Sequence, residues 1–213
     1  MKKFLSAILI LLTLTACGIG EPALLVGQAE IQSVIDAAAS MNSGRYVITN
    51  LATGEPQEVF SFMFTEDGTQ IWLDETEYRD ASTGEYVREY RYFDGTVEKS
   101  SDGSETTASY TKDEPYQMST GVLLFFIPGL VETAVESTTD DGFTVYTWDY
   151  DAKKLREQSS ALANVLTFRT TYLFDTEGNF LVMTEHITYE NEPPSDYQIE
   201  IIDRNAVTEI ILD

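Results

Sequence analysis

The stretch VLTFRTTYLFDTEGNFLVMTEHITYE, Val165 to Glu190, decides the fold. Two runs of β-branched and aromatic residues flank Thr176-Glu177-Gly178-Asn179, a segment of turn-forming residues. The spacing predicts a long hairpin, and so short a turn makes its two strands antiparallel neighbours. Pro193-Pro194 breaks the pattern, DYQIEIID (196–203) reads as a final strand, and NAVTEIILD closes the chain.

Working outward, the same period of two recurs upstream. FTVYTWDY sets Tyr146, Trp148 and Tyr150 on one face. RYVITNL (45–51) and the turn ATGEP lead into EVFSFMFTE, with Phe60, Phe62 and Phe64 on one face. Glu66-Asp67-Gly68 is a hairpin turn into TQIWLDETEY. Asp80 to Gly84 turns the chain again, and EYVREYRYFDG places Tyr86, Tyr90 and Tyr92 on one face. TVEKSSDGSETTASYTK reads as two short polar edge strands around Asp102-Gly103.

Two segments carry helical spacing instead. AEIQSVIDAAASM (29–41) repeats Ile31, Val34, Ile35, Ala38 and Met41 on one face, and Asn42-Ser43-Gly44 stops it. DAKKLREQSSALAN (151–164) is a short helix with its basic residues in the first half. About eight to ten strands joined by short turns, with helices set apart from most of them, indicate an α+β fold. The economical arrangement is a large curved antiparallel sheet, an open half-barrel, with helices packed on its concave face.

The chain opens MKKFLSAILILLTLTAC. Lys2 and Lys3, the apolar run Phe4–Leu12 and the small residues Thr15 and Ala16 have the anatomy of a secretory signal, too short for a good membrane span. Leu14-Thr15-Ala16-Cys17 resembles the bacterial lipobox, and the single cysteine of the chain stands at its end. That resemblance implies a signal peptide over 1–16, a diacylglycerol on Cys17 with palmitate-type acyl chains, and a short tether over 17–28. It places the protein on the extracytoplasmic face of a bacterial cell membrane. Two acyl chains suffice for stable anchoring. One cysteine permits no internal disulfide, so the fold rests on its core alone.

The chain has 36 acidic and 13 basic residues, a net charge of −23. Removing residues 1–16 takes two lysines and no acid, leaving 11 bases against 36 acids and a charge of −25. Such a surface repels nucleic acid and anionic headgroups. A hydrophobic content of 43% with 12% aromatics argues against disorder. Residues 29–213 suit one domain, expected to act as a monomer.

A lipobox, an amphipathic helix ending in SGRYVITNL, and a closing hairpin TTYLFDTEGNFLVMTEHITYE followed by DYQIEII together resemble the bacterial lipoprotein-carrier superfamily (LolA/LolB-like), including lipobox-anchored members from Gram-positive and mycobacterial envelopes. The resemblance covers most of the mature chain and lies in element order and the motif YLFDTEGNF. It implies a single LolA-like domain over 29–213, an unclosed barrel capped by helices, holding a lipid or other apolar ligand in its cavity. The chain departs from the family in its strong acidity and its polar segment Ser100–Thr107.

GVLLFFIPGL, Gly121 to Leu130, is the most apolar stretch after the signal. It is far short of the roughly twenty residues that span a bilayer. As a cavity lining or lid, kinked at Pro128-Gly129, it would present Leu123, Phe125, Phe126 and Ile127 to a ligand. As a plug it would fill the space over the sheet. Phe60, Phe62, Phe64, Tyr146 and Trp148 are the sheet residues that would complete a cavity wall, or equally a packed core.

No reaction chemistry is legible. His186, the single histidine, shares a strand face with Thr184 and Thr188 and reads as exposed. Without a second histidine or a free cysteine, a zinc site or a Cys–His pair cannot be built. Ser109-Tyr110-Thr111-Lys112 matches S-x-x-K but lies in a polar strand with no companion motif. Asp74 to Glu85 has the acid ends of a calcium loop and lacks its central glycine and inner acids. The expectation is a non-enzyme without cofactor or bound metal. It binds an apolar ligand, or else acts as an envelope scaffold lipoprotein with a solid core.

Overall fold

The computed structural model describes residues 24–80, 83–120, 124–158 and 162–212. The signal segment, Cys17, most of the tether, Leu123 and the middle of the helical stretch 151–164 lie outside them. Among the described residues, eleven strands and two helices follow in this order: α1 (Gln28–Ala39), β1 (Ser43–Asn50), β2 (Glu55–Phe64), β3 (Gln70–Arg79), β4 (Tyr86–Phe93), β5 (Val97–Ser100), β6 (Glu105–Thr107), β7 (Val131–Thr138), β8 (Thr144–Tyr150), α2 (Ala152–Gln158), β9 (Val165–Phe174), β10 (Phe180–Tyr189) and β11 (Ser195–Ile202). The hydrogen-bonded order is β6-β5-β4-β3-β2-β1-β11-β10-β9-β8-β7. This is the expected large antiparallel sheet, unclosed, with few helices. Residues 24–35 with 124–197 form one compact unit and residues 36–123 with 198–212 a second.

The β9–β10 hairpin of the first unit forms where its sequence demands it. The Asp175 carboxylate accepts the backbone N–H groups of Glu177 and Asn179 at 2.9 and 2.8 Å, and Gly178 takes φ +84°. This Asx-type closure aligns Phe168 with Ile187 and Thr170 with Glu185. α2 starts at Asp151, whose Oδ1 accepts the N–H groups of Lys153 and Lys154 at 3.0 and 3.1 Å. Its one buried side chain is Leu155. In α1, Ile31 and Ala38 are buried and Val34 and Ile35 half-buried, the stripe read from the sequence.

In the second unit, residues beyond β11 clasp the start of β1. Asn205 donates its N–H to the Ser43 carbonyl at 2.8 Å and accepts the Asn42 N–H on Oδ1 at 2.8 Å, while Asp203 pairs with Arg45 at 3.0 Å. Residues 203–212 are thus turn and irregular chain rather than a strand.

Two features go beyond the sequence reading. The apolar run is followed directly by β7, a strand that reading did not single out. Its alternation is weak because an edge strand buries little, and most of β7 is exposed. On β4, the buried phase belongs to Phe93, with Arg91, rather than to the tyrosines. Tyr86 is 68% exposed, and Tyr90 and Tyr92 are half-buried on the opposite face. A period of two always offers two faces, and Phe93 opposite the buried Trp72 decides which one turns inward.

Candidate functional site

On the first unit, Tyr146, Trp148 and Tyr150 of β8, Phe168, Thr170 and Tyr172 of β9, and Met183 and Ile187 of β10 are buried on one face. Strand alternation brings them to that face, where Trp148 and Tyr172 meet edge to face, 5.8 Å apart at 69°. An irregular segment from Leu124 to Ile127 covers them, ending in a 3-10 turn at Pro128–Leu130. Phe125 is buried, 4.4 Å from the Phe168 ring and edge-on to Tyr150 at 5.1 Å. The Phe125 carbonyl accepts the Tyr150 hydroxyl at 3.2 Å and also the Tyr172 hydroxyl. Half-buried Phe126 stacks on Trp148 at 5.3 Å.

The start of α1 covers the same face. The Trp148 indole N–H donates to the Val26 carbonyl at 2.9 Å. Gly27, at φ +76°, lies so close to the Tyr146 ring that a Cβ there would stand 2.4 Å from it. No other residue type fits.

Glu185 interrupts this apolar face. Met183 and Ile187 flank it along β10 and Thr170 faces it across β9. It is 6% exposed, and burial alone pushes its carboxyl up to about 8. Burial likewise pushes the Tyr150 hydroxyl up to about 12.

The second unit carries a more polar interior. Phe60 and Phe62 are fully buried beside Tyr46 and Trp72, and Phe64 is half-buried, edge-on to Phe62 at 6.0 Å. Tyr116 stacks on Trp72 at 4.3 Å, closing this face. Arg91 lies 5.4 Å over both of those rings, donates to Glu98 at 3.0 Å and to the Tyr116 hydroxyl at 2.7 Å. Next to it, the carboxyls of Glu58 and Asp74 lie on one face of the β2–β3 pair. Burial and the neighbouring Asp74 charge hold the Glu58 carboxyl well above the usual carboxylate range, and burial lifts Asp74 to about 6 despite Arg91. Outside this core, an open depression of about 460 Å³ between the β2–β3 and β4–β5 turns is lined by Asp67 and Asp94. Both carboxylates are spent on their own turns, accepting the N–H groups of Thr69, Thr96 and Val97.

The residues expected to line a cavity thus fall in both units: Phe125, Phe126, Ile127, Tyr146 and Trp148 in the first, Phe60, Phe62 and Phe64 in the second. Leu123 lies outside the described residues. His186 is exposed, its Nδ1 2.6 Å from Asp196. Ser109 and Lys112 are exposed, and Lys112 donates to Asn42 at 2.7 Å. Among the described residues, no group of three or more His, Cys, Asp or Glu side chains is placed to hold a metal ion.

Glu185, Glu58, Asp74 and Arg91 were missed by sequence reasoning. The signal was present as phase: Glu185 alternates with Met183, Ile187 and Tyr189, Glu58 with Phe60 and Phe62, and Asp74 with Trp72. A charged residue in the buried phase of a strand was the mark to look for.

No family model and no curated protein matches the sequence. Among solved structures, the fold is similar to LprF from Mycobacterium bovis, with a TM-score of 0.49 and 14% identity over 91% of this chain and 99% of that one. It is also similar to the Mycobacterium tuberculosis lipoprotein LppX, with a TM-score of 0.44 and 11% identity over 87% of this chain and 97% of that one.

Proposed function

We propose that this chain is a non-enzymatic, membrane-anchored lipoprotein, tethered through a diacylglycerol on Cys17 at the extracytoplasmic face, whose single LolA-like domain over 29–213 holds a lipid or other apolar ligand. The anchoring half of this reading rests on the lipobox-like LTAC and the lone cysteine. The binding half is carried by one observation. The aromatic face of β8, β9 and β10 is covered at Leu124–Ile127 by irregular chain rather than by a layer of helix. A segment without its own hydrogen-bonded ladder opens at lower cost than a helix. Lifting it would present Trp148, Tyr150, Phe168 and Tyr172 as a wall for acyl chains, with Phe126 and Ile127 already half-exposed.

A scaffold role with a filled core is favoured by a different observation, the packing of Phe125 between Tyr150 and Phe168 with two tyrosine hydroxyls on its carbonyl. Native mass spectrometry of the protein extracted from its membrane separates the two. A ligand-bearing species that loses an apolar mass on activation is expected. A single ligand-free mass, unchanged when acyl lipids are supplied, would leave the scaffold reading.

A further inference from the structure

Among the side chains that β8, β9 and β10 turn to their buried face, Glu185 alone carries a carboxyl. It sits mid-strand between Met183 and Ile187, 6% exposed, and no described residue hydrogen-bonds to it. The groups around it are the Thr170 hydroxyl across β9 and the phenols of Tyr150, Tyr172 and Tyr189; among the described residues no cation reaches it. Of those phenols, Tyr150 and Tyr172 are already turned to the Phe125 carbonyl. A buried polar group without a partner is costly, and native structures almost always supply one. Here the described residues supply none, on the very face to which an apolar ligand is assigned above.

We propose that Glu185 is the polar anchor of that site, its carboxyl hydrogen-bonding the carbonyl of a long-chain ester lodged against Trp148, Tyr172 and Met183. The inference rests on the apolar-ligand reading and adds a polar group at a fixed depth within it. Burial keeps the carboxyl protonated at neutral pH, so it donates. The matching ligand group is therefore a neutral acceptor. An ionised fatty acid would bring a second charge into the same apolar face and is disfavoured.

The test uses the full-length protein in detergent and two probes, a pyrene-labelled long-chain methyl ester and the pyrene-labelled alkane of equal length. Wild type should bind the ester about tenfold tighter than the alkane, as one net hydrogen bond gives. Glu185→Leu should retain alkane affinity and lose the ester preference, while Glu185→Gln should keep part of it, because an amide N–H also donates. Wild type compared at pH 6 and pH 9 makes the same test without mutation, and its ester preference should fall at pH 9. Equal ester and alkane affinities in wild type, or a ratio unchanged by both Glu185→Leu and pH, overturn the anchor and leave apolar binding standing. Wild type that binds neither probe overturns the apolar-ligand reading itself, and the anchor with it.

Discussion

Adjacent phenylalanines in the apolar run should behave very differently when truncated. Phe125 is 2% exposed and wedged between Tyr150 and Phe168. Its backbone carbonyl is held by two tyrosine hydroxyls, so Phe125→Ala leaves the path of the chain fixed and opens a cavity that cannot collapse. A buried Phe→Ala change of this kind costs about 3–5 kcal/mol, up to half or more of the roughly 5–15 kcal/mol that holds an ordinary domain. Phe126 is half-buried with a single stacking partner, Trp148. Its truncation should cost roughly 1–2 kcal/mol, mostly one aromatic pair and a fraction of its area. With a urea dependence of about 2 kcal/mol per molar, the Phe125→Ala midpoint should drop by roughly 1.5–2.5 M and the Phe126→Ala midpoint by less than about 1 M. Far-UV circular dichroism and tryptophan fluorescence, followed together, give both midpoints. Equal losses for the two variants, or less than about 1 kcal/mol for Phe125→Ala, would refute the packing argument and make Phe125 a cavity wall.

Changing Cys17→Ala should abolish incorporation of a palmitate analogue and leave the precursor uncut; undiminished label would end the lipoprotein reading. Stability should also depend on pH through Glu185. Its carboxyl is raised in the folded state from the usual 4.5 to about 8, so the contribution is full below about pH 4.5 and is lost as pH rises towards 8. The loss between pH 4.5 and 7 is on the order of 3 kcal/mol, and Glu185→Leu should remove it from the profile of urea midpoint against pH. The Glu58–Asp74 pair is shifted in the same direction, so a residual slope should survive in that variant.

What the sequence disclosed and what it hid follow from how each signal is made. The β9–β10 hairpin and α1 were readable because burial there follows one unbroken period, closed by local turn residues such as Asp175 and Gly178. β7 was hidden because an edge strand has few buried partners to shape its sequence. Which face of β4 turns inward was not legible, because three tyrosines outnumber the single Phe93 that opposes Trp72. Aromatics are amphipathic and tolerate either side of a sheet. The apolar and aromatic candidates Phe60, Phe62, Tyr146 and Trp148 were readable as buried positions. Whether burial means a wall or a core depends on what lies opposite, which no local pattern records. Glu185 was hidden for the converse reason: taken singly, a glutamate in a strand reads as solvent-facing, and only its phase betrays it.

The sheet ends in β6 and β7, and each of these edges discourages further pairing. β6 is three polar residues long and fully exposed, and β7 presents exposed Glu132 and Glu136. Short edge strands and edge charges are how proteins resist edge-to-edge growth. Under the anchoring proposed above, the protein would diffuse in two dimensions and share one plane with its own copies, so encounters would be far more frequent than in bulk. There, two molecules meeting edge to edge would bring together like-charged rims, each on a chain of charge −23. Lateral clustering in the membrane would then be governed by salt and divalent cations in the medium, which screen those rims, more than by the density of the protein itself.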